Sequence, residues 1–288
     1  MPDARFAVST FLFHQSRLDR EHQVAVAAHG FDAIELFALA SHFDVASRQA
    51  AGDLAEWLDD TRLTLASVHA PTAEAFVDGR WQGTLSIASR AAAARARAVE
   101  ATKAAIDLAA RVPFAQLALH VGLPAHVAAA ADDDAGAARE SLDTLVPYAA
   151  DRGVQVALEV QTNRFSTADA LVALIEDAAD WPVVGICVDT GHARLLGDPV
   201  DAIEAASGHI VSVHVNDTRG SRDDHLVPYD GSIDWARTLL AFQKVGYLGP
   251  WTFELGPAAS AVAVLARAAR ARQRFEQALG LSDELINP

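Results

Sequence analysis

The chain has 288 residues, 51% of them apolar, with 38 acidic against 23 basic side chains and a formal net charge of −15. That length suits one large domain with a sizeable core. Such acidity disfavours nucleic acid and anionic membranes as partners at long range, and no run approaches the roughly 18 apolar residues of a membrane span.

Strand-like and helix-like segments alternate from end to end. Runs rich in Val, Ile, Leu and Phe at 5–12, 33–38, 63–69, 114–121, 154–160, 183–189, 210–216 and 250–255 predict strands. Alanine-rich segments with helical periodicity lie between and after them, at 19–29, 47–61, 86–111, 135–151, 167–178, 199–206, 233–245 and 258–279. Gly30, Gly153, Gly208 and Gly246 close helices, and Pro182 and Pro250 precede strands. The first run is short and lacks a small-residue cleavage site, so it reads as a strand, not a signal peptide.

The strand ends carry the polar residues. The first ends near Phe13 and His14, the second with Glu35 in AIELF, the third with His69 in SVHAP and the fourth with His120 in LALHVG. The segment 72–85 after the third strand is long enough for a lid, and its Trp81 suits the face of a sugar or simple packing. The acidic stretch Asp132–Asp134 is placed to open the fourth helix, where carboxylates suit the helix dipole. The fifth strand carries Glu159 in VALEV, the sixth Asp189 in GICVDT with His192 three residues on, the seventh His214 in SVHVND and the eighth Glu254 in WTFEL. A loop after the seventh strand adds Asp223-Asp224-His225. The single cysteine, Cys187, sits mid-strand and fits a buried hydrophobe in a reducing, cytoplasmic setting.

Eight βα units in strict alternation predict a (β/α)8 TIM barrel, a single domain over 1–288, with a doubly wound open sheet as the runner-up. Barrel active sites lie at the C-terminal strand ends, where these residues fall. Glu159, Asp189, Glu254 and His214 would repel one another at a common point without a cation. The chain has only two lysines, Lys103 and Lys244, both in predicted helices. One divalent metal ion is the simplest partner; three oxygen ligands and one nitrogen leave Mn²⁺, Mg²⁺, Co²⁺ and Zn²⁺ open.

VDTGHA at 188–193, HVND at 214–217, DHLVPYDGSIDW at 224–235 and WTFEL at 251–255 resemble the xylose-isomerase-like TIM-barrel superfamily. It includes sugar and sugar-phosphate isomerases and epimerases, inosose dehydratases and endonuclease IV. The ketose epimerase branch implies one divalent ion on Glu159, Asp189, His214 and Glu254, with Glu159 and Glu254 also moving protons and His192 on the substrate oxygens. His69, His120 and His225 stand where relatives contact substrate hydroxyls. The implied function is isomerisation or epimerisation of a small sugar, ketose or sugar phosphate through a metal-stabilised ene-diolate. An inosose-type dehydratase on the same scaffold would begin with the same proton abstraction and use His69 or His225 to expel a hydroxyl.

The endonuclease IV branch holds three zinc ions, and its additional ligands would be His69, His120, Asp223 and His225 here. Leu226 and Asp234-Trp235 depart from that nuclease's pattern, and the strand-end loops offer only scattered arginines: Arg80, Arg164, Arg194, Arg219 and Arg222. A DNA-binding face needs more. A small-molecule sugar is therefore the expected partner, with no nucleic acid and no membrane. Family members are commonly dimers or tetramers, which leaves a homo-oligomer open. Glu35 suits either orienting a loop or touching substrate, Phe11, Phe13, Phe37 and Trp251 suit an apolar wall or the core, Arg219 and Arg222 suit an anion or solvent, and Asn216 and Asp217 suit bracing the seventh-strand loop.

Overall fold

The computed structural model describes residues 6–281, apart from 179 and 183. Its strands in chain order are β1 (Phe6–Ser9), β2 (Ala33–Phe37), β3 (Thr64–His69), β4 (Ala73–Val77), β5 (Arg80–Thr84), β6 (Gln116–His120), β7 (Gln155–Glu159), β8 (Val184–Asp189), β9 (Ile210–Val215) and β10 (Trp251–Phe253). All but β4 and β5 close into one parallel barrel, each beside its neighbour in sequence, with β1 meeting β10. The helices are α1 (Arg20–Ala28), α2 (Arg48–Thr61), α3 (Ala92–Asp107), α4 (Ala135–Ala150), α5 (Ala168–Glu176), α6 (Thr190–Leu196), α7 (Pro199–Ala205), α8 (Trp235–Lys244) and α9 (Ala261–Ala278). This is the (β/α)8 barrel that the alternation predicts. No helix among the described residues is long and apolar enough to cross a membrane.

The barrel strands are short and mostly buried on both faces, as parallel strands under a helical layer must be. In β7, Val156 and Leu158 face opposite to Ala157 and Glu159. Helix starts follow local chemistry: Ser47, Asp134, Thr167 and Ser260 each accept a hydrogen bond from a backbone N–H two or three residues on. Aromatic rings fill the seam between α8, α9 and β10, where Trp251 lies 5.0 Å from Phe242 and Trp235 lies 5.0 Å from Phe275. Trp251 therefore belongs to the core.

Two register shifts bear on the site. One, between Ile34 and Glu35, pairs Glu35 with Ser67. The other, between Ile186 and Cys187, brings Asp189 opposite His214. Each adds a residue on one strand and re-aims the next side chains.

Several boundaries differ from expectation. The first strand ends at Ser9, and Thr10–Phe13 form a 3-10 turn capped by the Ser9 hydroxyl. Residues 72–85 are a β-hairpin of β4 and β5, turning on Asp78 and Gly79 with φ of 52° and 73°. Asp-Gly between alternating apolar residues is a strong hairpin signal. The third helix starts at Ala92 rather than 86, because Ser86 and Ser89 donate to Asp133 and Asp132 across the barrel top. Only Asp134 of the acidic stretch caps α4; Asp133 accepts from the backbone N–H of Leu123. A helix not foreseen, α6, begins at the end of β8.

His42 is buried after β2, and its Nδ1–H donates to the Ser16 carbonyl at 2.6 Å. Burial pushes its pKa down to about 4, against that hydrogen bond. The unfolded chain then binds the extra proton between pH 6.5 and 4, so this contribution to stability is complete above 6.5 and lost as pH falls to about 4. Replacing His42 with Leu should flatten the urea-derived stability profile over that window by on the order of 3 kcal/mol relative to wild type. Parallel profiles would contradict this.

Candidate metal centre and active site

Four strand ends converge inside the barrel mouth. Ligand atoms of Glu159, Asp189, His214 and Glu254 all lie within 4.8 Å of one another, and all four residues are buried. His69 joins Glu159 and His214 in an overlapping group. A third group, His192, Asp223 and His225, lies beside them toward the rim. His120 completes the set, with Nε2 at 3.2 Å from Glu159 Oε1. All nine residues named from sequence therefore meet at one end of the barrel.

The histidines share a pattern. His214 directs Nε2 to Glu35 at 3.1 Å and leaves Nδ1 facing Glu159 and Glu254 at 3.3 and 3.4 Å. His69 commits Nδ1 to the Ala70 carbonyl at 2.7 Å, and its Nε2 lies 3.2 Å from Glu159. His192 commits Nδ1 to the Val160 carbonyl at 3.0 Å, and His225 commits Nδ1 to the Glu254 carbonyl at 3.1 Å. Both turn Nε2 to the same Asp223 oxygen at 3.1 Å. One ring nitrogen fixed by an acceptor and the other aimed into a carboxylate cluster is the usual arrangement of metal-binding imidazoles. His120 is the exception, since its Nδ1 is buried without a hydrogen-bond partner.

Both Glu159 oxygens and His214 Nδ1 are also buried without a hydrogen-bond partner. Imidazoles stand 3.2–3.3 Å from Glu159, yet none meets it along a hydrogen-bonding direction. Orphaned buried acceptors on this scale are costly. A cation held by Glu159, Asp189, His214 and Glu254 would satisfy them, so the residues present fit a divalent ion.

The charges respond to one another. Burial raises Glu159, but His120 and His214 outweigh it and hold its carboxyl well below the usual range. Burial also raises Glu254, and His214 and His225 bring it down to about 2. Asp189 is pushed up to about 6 by burial, against the pull of His192. Burial lowers His69 and His225, but Glu159 lifts the first to about 9 and Asp223 lifts the second to about 10. Carboxylates and imidazoles here thus favour one another's charged forms against burial.

The motif residues around the cluster have physical jobs. Asp189 caps α6 by accepting from the His192 backbone N–H, and its other oxygen accepts from the Asn216 amide, each at 2.6 Å. A second lone pair remains on each oxygen. Gly191 is required because a Cβ there would collide with the Asn216 side chain. Asp217 accepts four hydrogen bonds, from the backbone of Thr218, Tyr229 and Ile233 and from the Trp235 indole. Gly231 leaves room for that carboxylate. The loop so anchored carries Asp223 and His225, the latter in the left-handed region at φ 43°.

Other residues resolve as follows. Glu35 is fully buried and holds His214, while accepting from Ser67 at 2.8 Å; sequence reading placed it at the site without this job. Its signal was a carboxylate inside an apolar strand. Gln161, which also reaches His192 at 3.3 Å, went unnoticed. Phe11 and Phe37 line the mouth, whereas Phe13 packs on His22. Arg222 pairs with Asp224 at 2.6 Å, and Arg219 is exposed. Cys187 is buried and its thiol is pushed up to about 12 by burial, so it is inert.

Residues 24–276 match the family described as xylose isomerase-like TIM barrel, and the chain belongs to that family. An uncharacterized protein of Methanocaldococcus jannaschii is 27% identical over 264 residues, 88% of this chain and 84% of that protein. The uncharacterized protein y4fM of Sinorhizobium fredii is 29% identical over 56% of this chain and 53% of its own length. L-ribulose-5-phosphate 3-epimerase UlaE of Salmonella paratyphi A is 26% identical over 57% of each chain. These last two matches thus span little more than half of the curated relatives. The crystal structure of a D-tagatose 3-epimerase-like protein superposes with a TM-score of 0.76 at 25% identity, covering 98% of this chain and 99% of that one.

Replacing Asp217 with Ala removes a buried acceptor from four donors. It should lower unfolding stability by about 3–5 kcal/mol and loosen the 218–233 loop, read as faster amide hydrogen exchange there. Unchanged exchange would contradict the anchoring role.

Proposed function

We propose that this chain is a divalent-cation-dependent isomerase or epimerase of a small polyhydroxy ketone or its phosphate. The observation that carries this reading is the convergence of Glu159, Asp189, His214 and Glu254, with Glu159 and His214 presenting unpartnered buried atoms to one point. The named relatives and structural neighbours include L-ribulose-5-phosphate 3-epimerase and ketose 3-epimerases, which supports sugar chemistry at that point.

A C–H next to a ketone is too weakly acidic to ionise unaided near neutral pH. The cation would supply positive charge to the carbonyl and adjacent hydroxyl oxygens, lowering the cost of the negative charge that builds there. Glu159 on β7 and Glu254 after β10 reach the cluster from strands separated by β8 and β9. One carboxylate takes the proton from one face of the carbon as general base. Inversion requires the other to enter the step as the carboxylic acid: it gives its proton to the opposite face while the base keeps the one it took, so the two exchange protonation states. If a single carboxylate moves the proton between neighbouring carbons, the outcome is aldose–ketose isomerisation. His214, whose Nε2 is held by Glu35, would present Nδ1 to the cation beside the two glutamates. His192 and His225 hold Asp223 at the rim, where substrate hydroxyls arrive.

One observation favours a second reading. His192, Asp223 and His225 form a ligand-like triad of their own beside the first cluster, and His69 and His120 lie within reach. A two- or three-ion centre that activates water on a phosphodiester would use that set.

Changing Glu159 or Glu254 to Gln should lower turnover of an accepted ketose, and solvent-deuterium uptake at the reacting carbon, by at least about 1,000-fold. Full activity of either variant would overturn the mechanism. Two or three zinc ions per chain, with cleavage of abasic-site DNA, would establish the second reading instead.

A further inference from the structure

One imidazole of the cluster is held differently from the others. His69, His192 and His225 each commit Nδ1 to a backbone carbonyl, at 2.7, 3.0 and 3.1 Å. His214 is held through Nε2 instead, and by a carboxylate, Glu35 Oε2 at 3.1 Å. It is also the one nitrogen donor in the group Glu159, Asp189, His214 and Glu254. Glu35 therefore grips the only nitrogen that this group offers a cation.

A carboxylate is a costly choice for holding a ring. Glu35 is fully buried, and its ion-pair partner among the described residues is His214. Its Oε2 accepts from Ser67 Oγ at 2.8 Å as well as from His214, whereas Oε1 is buried without a hydrogen-bond partner. Such a half-satisfied buried acid is a poor source of stability, and a backbone carbonyl suffices for the other three rings. The chain nevertheless shapes itself around this residue. β2 is separated from β9 by β1 and β10, so the Glu35 side chain reaches across the barrel interior. The register shift between Ile34 and Glu35 sets it beside Ser67. Its other neighbour in register is Ser9, and that of His214 on β10 is Thr252, both small side chains.

A carboxylate only accepts, so the ring proton of a ligating His214 stays on Nε2, and Nδ1 is the nitrogen open to a cation. Unlike a carbonyl, the carboxylate also carries charge. It draws on the N–H and pushes electron density toward Nδ1, which strengthens that atom as a ligand.

We propose that Glu35 is a positioning residue of the metal centre: through His214 it fixes Nδ1 as the ligating atom, and its charge raises the affinity of the site for a divalent ion. This rests on the divalent-cation reading for the ion itself and adds the group that tunes its binding.

The test compares wild type with Glu35→Gln and Glu35→Asp. Gln keeps the shape and an oxygen that can brace Nε2–H, but not the charge; Asp keeps the charge but is one methylene shorter. Each chain is treated with chelator, checked for cooperative urea unfolding and titrated with Mn²⁺ by calorimetry. Spectra of ¹⁵N-histidine in the Zn²⁺-loaded proteins then read the two ring nitrogens of His214. The dissociation constant for Mn²⁺ should rise about 10–100-fold in Glu35→Gln, and it should rise in Glu35→Asp as well. Wild type should show a zinc-bound Nδ1 and a protonated Nε2. A mere brace would survive in Glu35→Gln, so wild-type affinity in that folded variant overturns the proposal and leaves the cation reading standing. His214 ligating through Nε2 does the same. If Glu35→Gln does not fold, Glu35→Asp decides, and wild-type affinity there overturns the proposal. A wild type that binds no ion overturns the cation reading and this proposal together.

Discussion

Two unit charges about 4 Å apart repel by about 4 kcal/mol at the effective dielectric of a partly buried site. Glu159, Asp189 and Glu254 meet within such distances in a pocket closed to water. Everything at this end of the barrel answers that repulsion. Four imidazoles are pinned by carbonyls or by Glu35 so that their free nitrogens face carboxylates. They lower the repulsion but leave Glu159 and His214 Nδ1 without hydrogen bonds. Only a group with several coordination directions at one point satisfies those atoms together, and a divalent cation is such a group.

The scaffold holds this charge-dense pocket by spending other buried polar groups on rigidity. Asn216 orients Asp189, Thr190 ties α6 to the chain after β9 through the His214 and Asn216 carbonyls, and Asp217 gathers the loop that carries Asp223 and His225. The glycines at 191 and 231 are consequences of those carboxyl and amide groups coming so close. Precise placement of this kind is what proton transfer between fixed faces requires, because a base displaced by an ångström loses most of its advantage.

Much of this was legible in the sequence. Alternating apolar runs and alanine-rich segments gave the barrel, and the barrel rule that sites sit at C-terminal strand ends turned separate polar residues such as Glu159 and His214 into one cluster. The shortfalls have local causes. Residues 72–85 read as a lid from their length alone, whereas the Asp78-Gly79 pair between apolar residues is the local signal of the hairpin they form. The start of α3 was placed too early because alanine periodicity does not reveal that Ser86 and Ser89 are held by aspartates some 40 positions away. The job of Glu35 depends on a register shift, and α6 depends on Asp189 serving as cap and cluster member at once; single-sequence periodicity encodes neither.

The most direct test of the account is calorimetric titration of Mn²⁺ into chelator-treated protein near pH 7, in buffers of different ionisation enthalpy, beside the Asp189→Ala variant. One tight ion per chain, lost in the variant, should bind with net proton release, because His214 must give up the proton that its carboxylate neighbours favour on it before it can ligate. Affinity should accordingly fall as pH is lowered. Absence of binding, or equal binding by Asp189→Ala, would contradict the claim that this buried cluster is a metal centre.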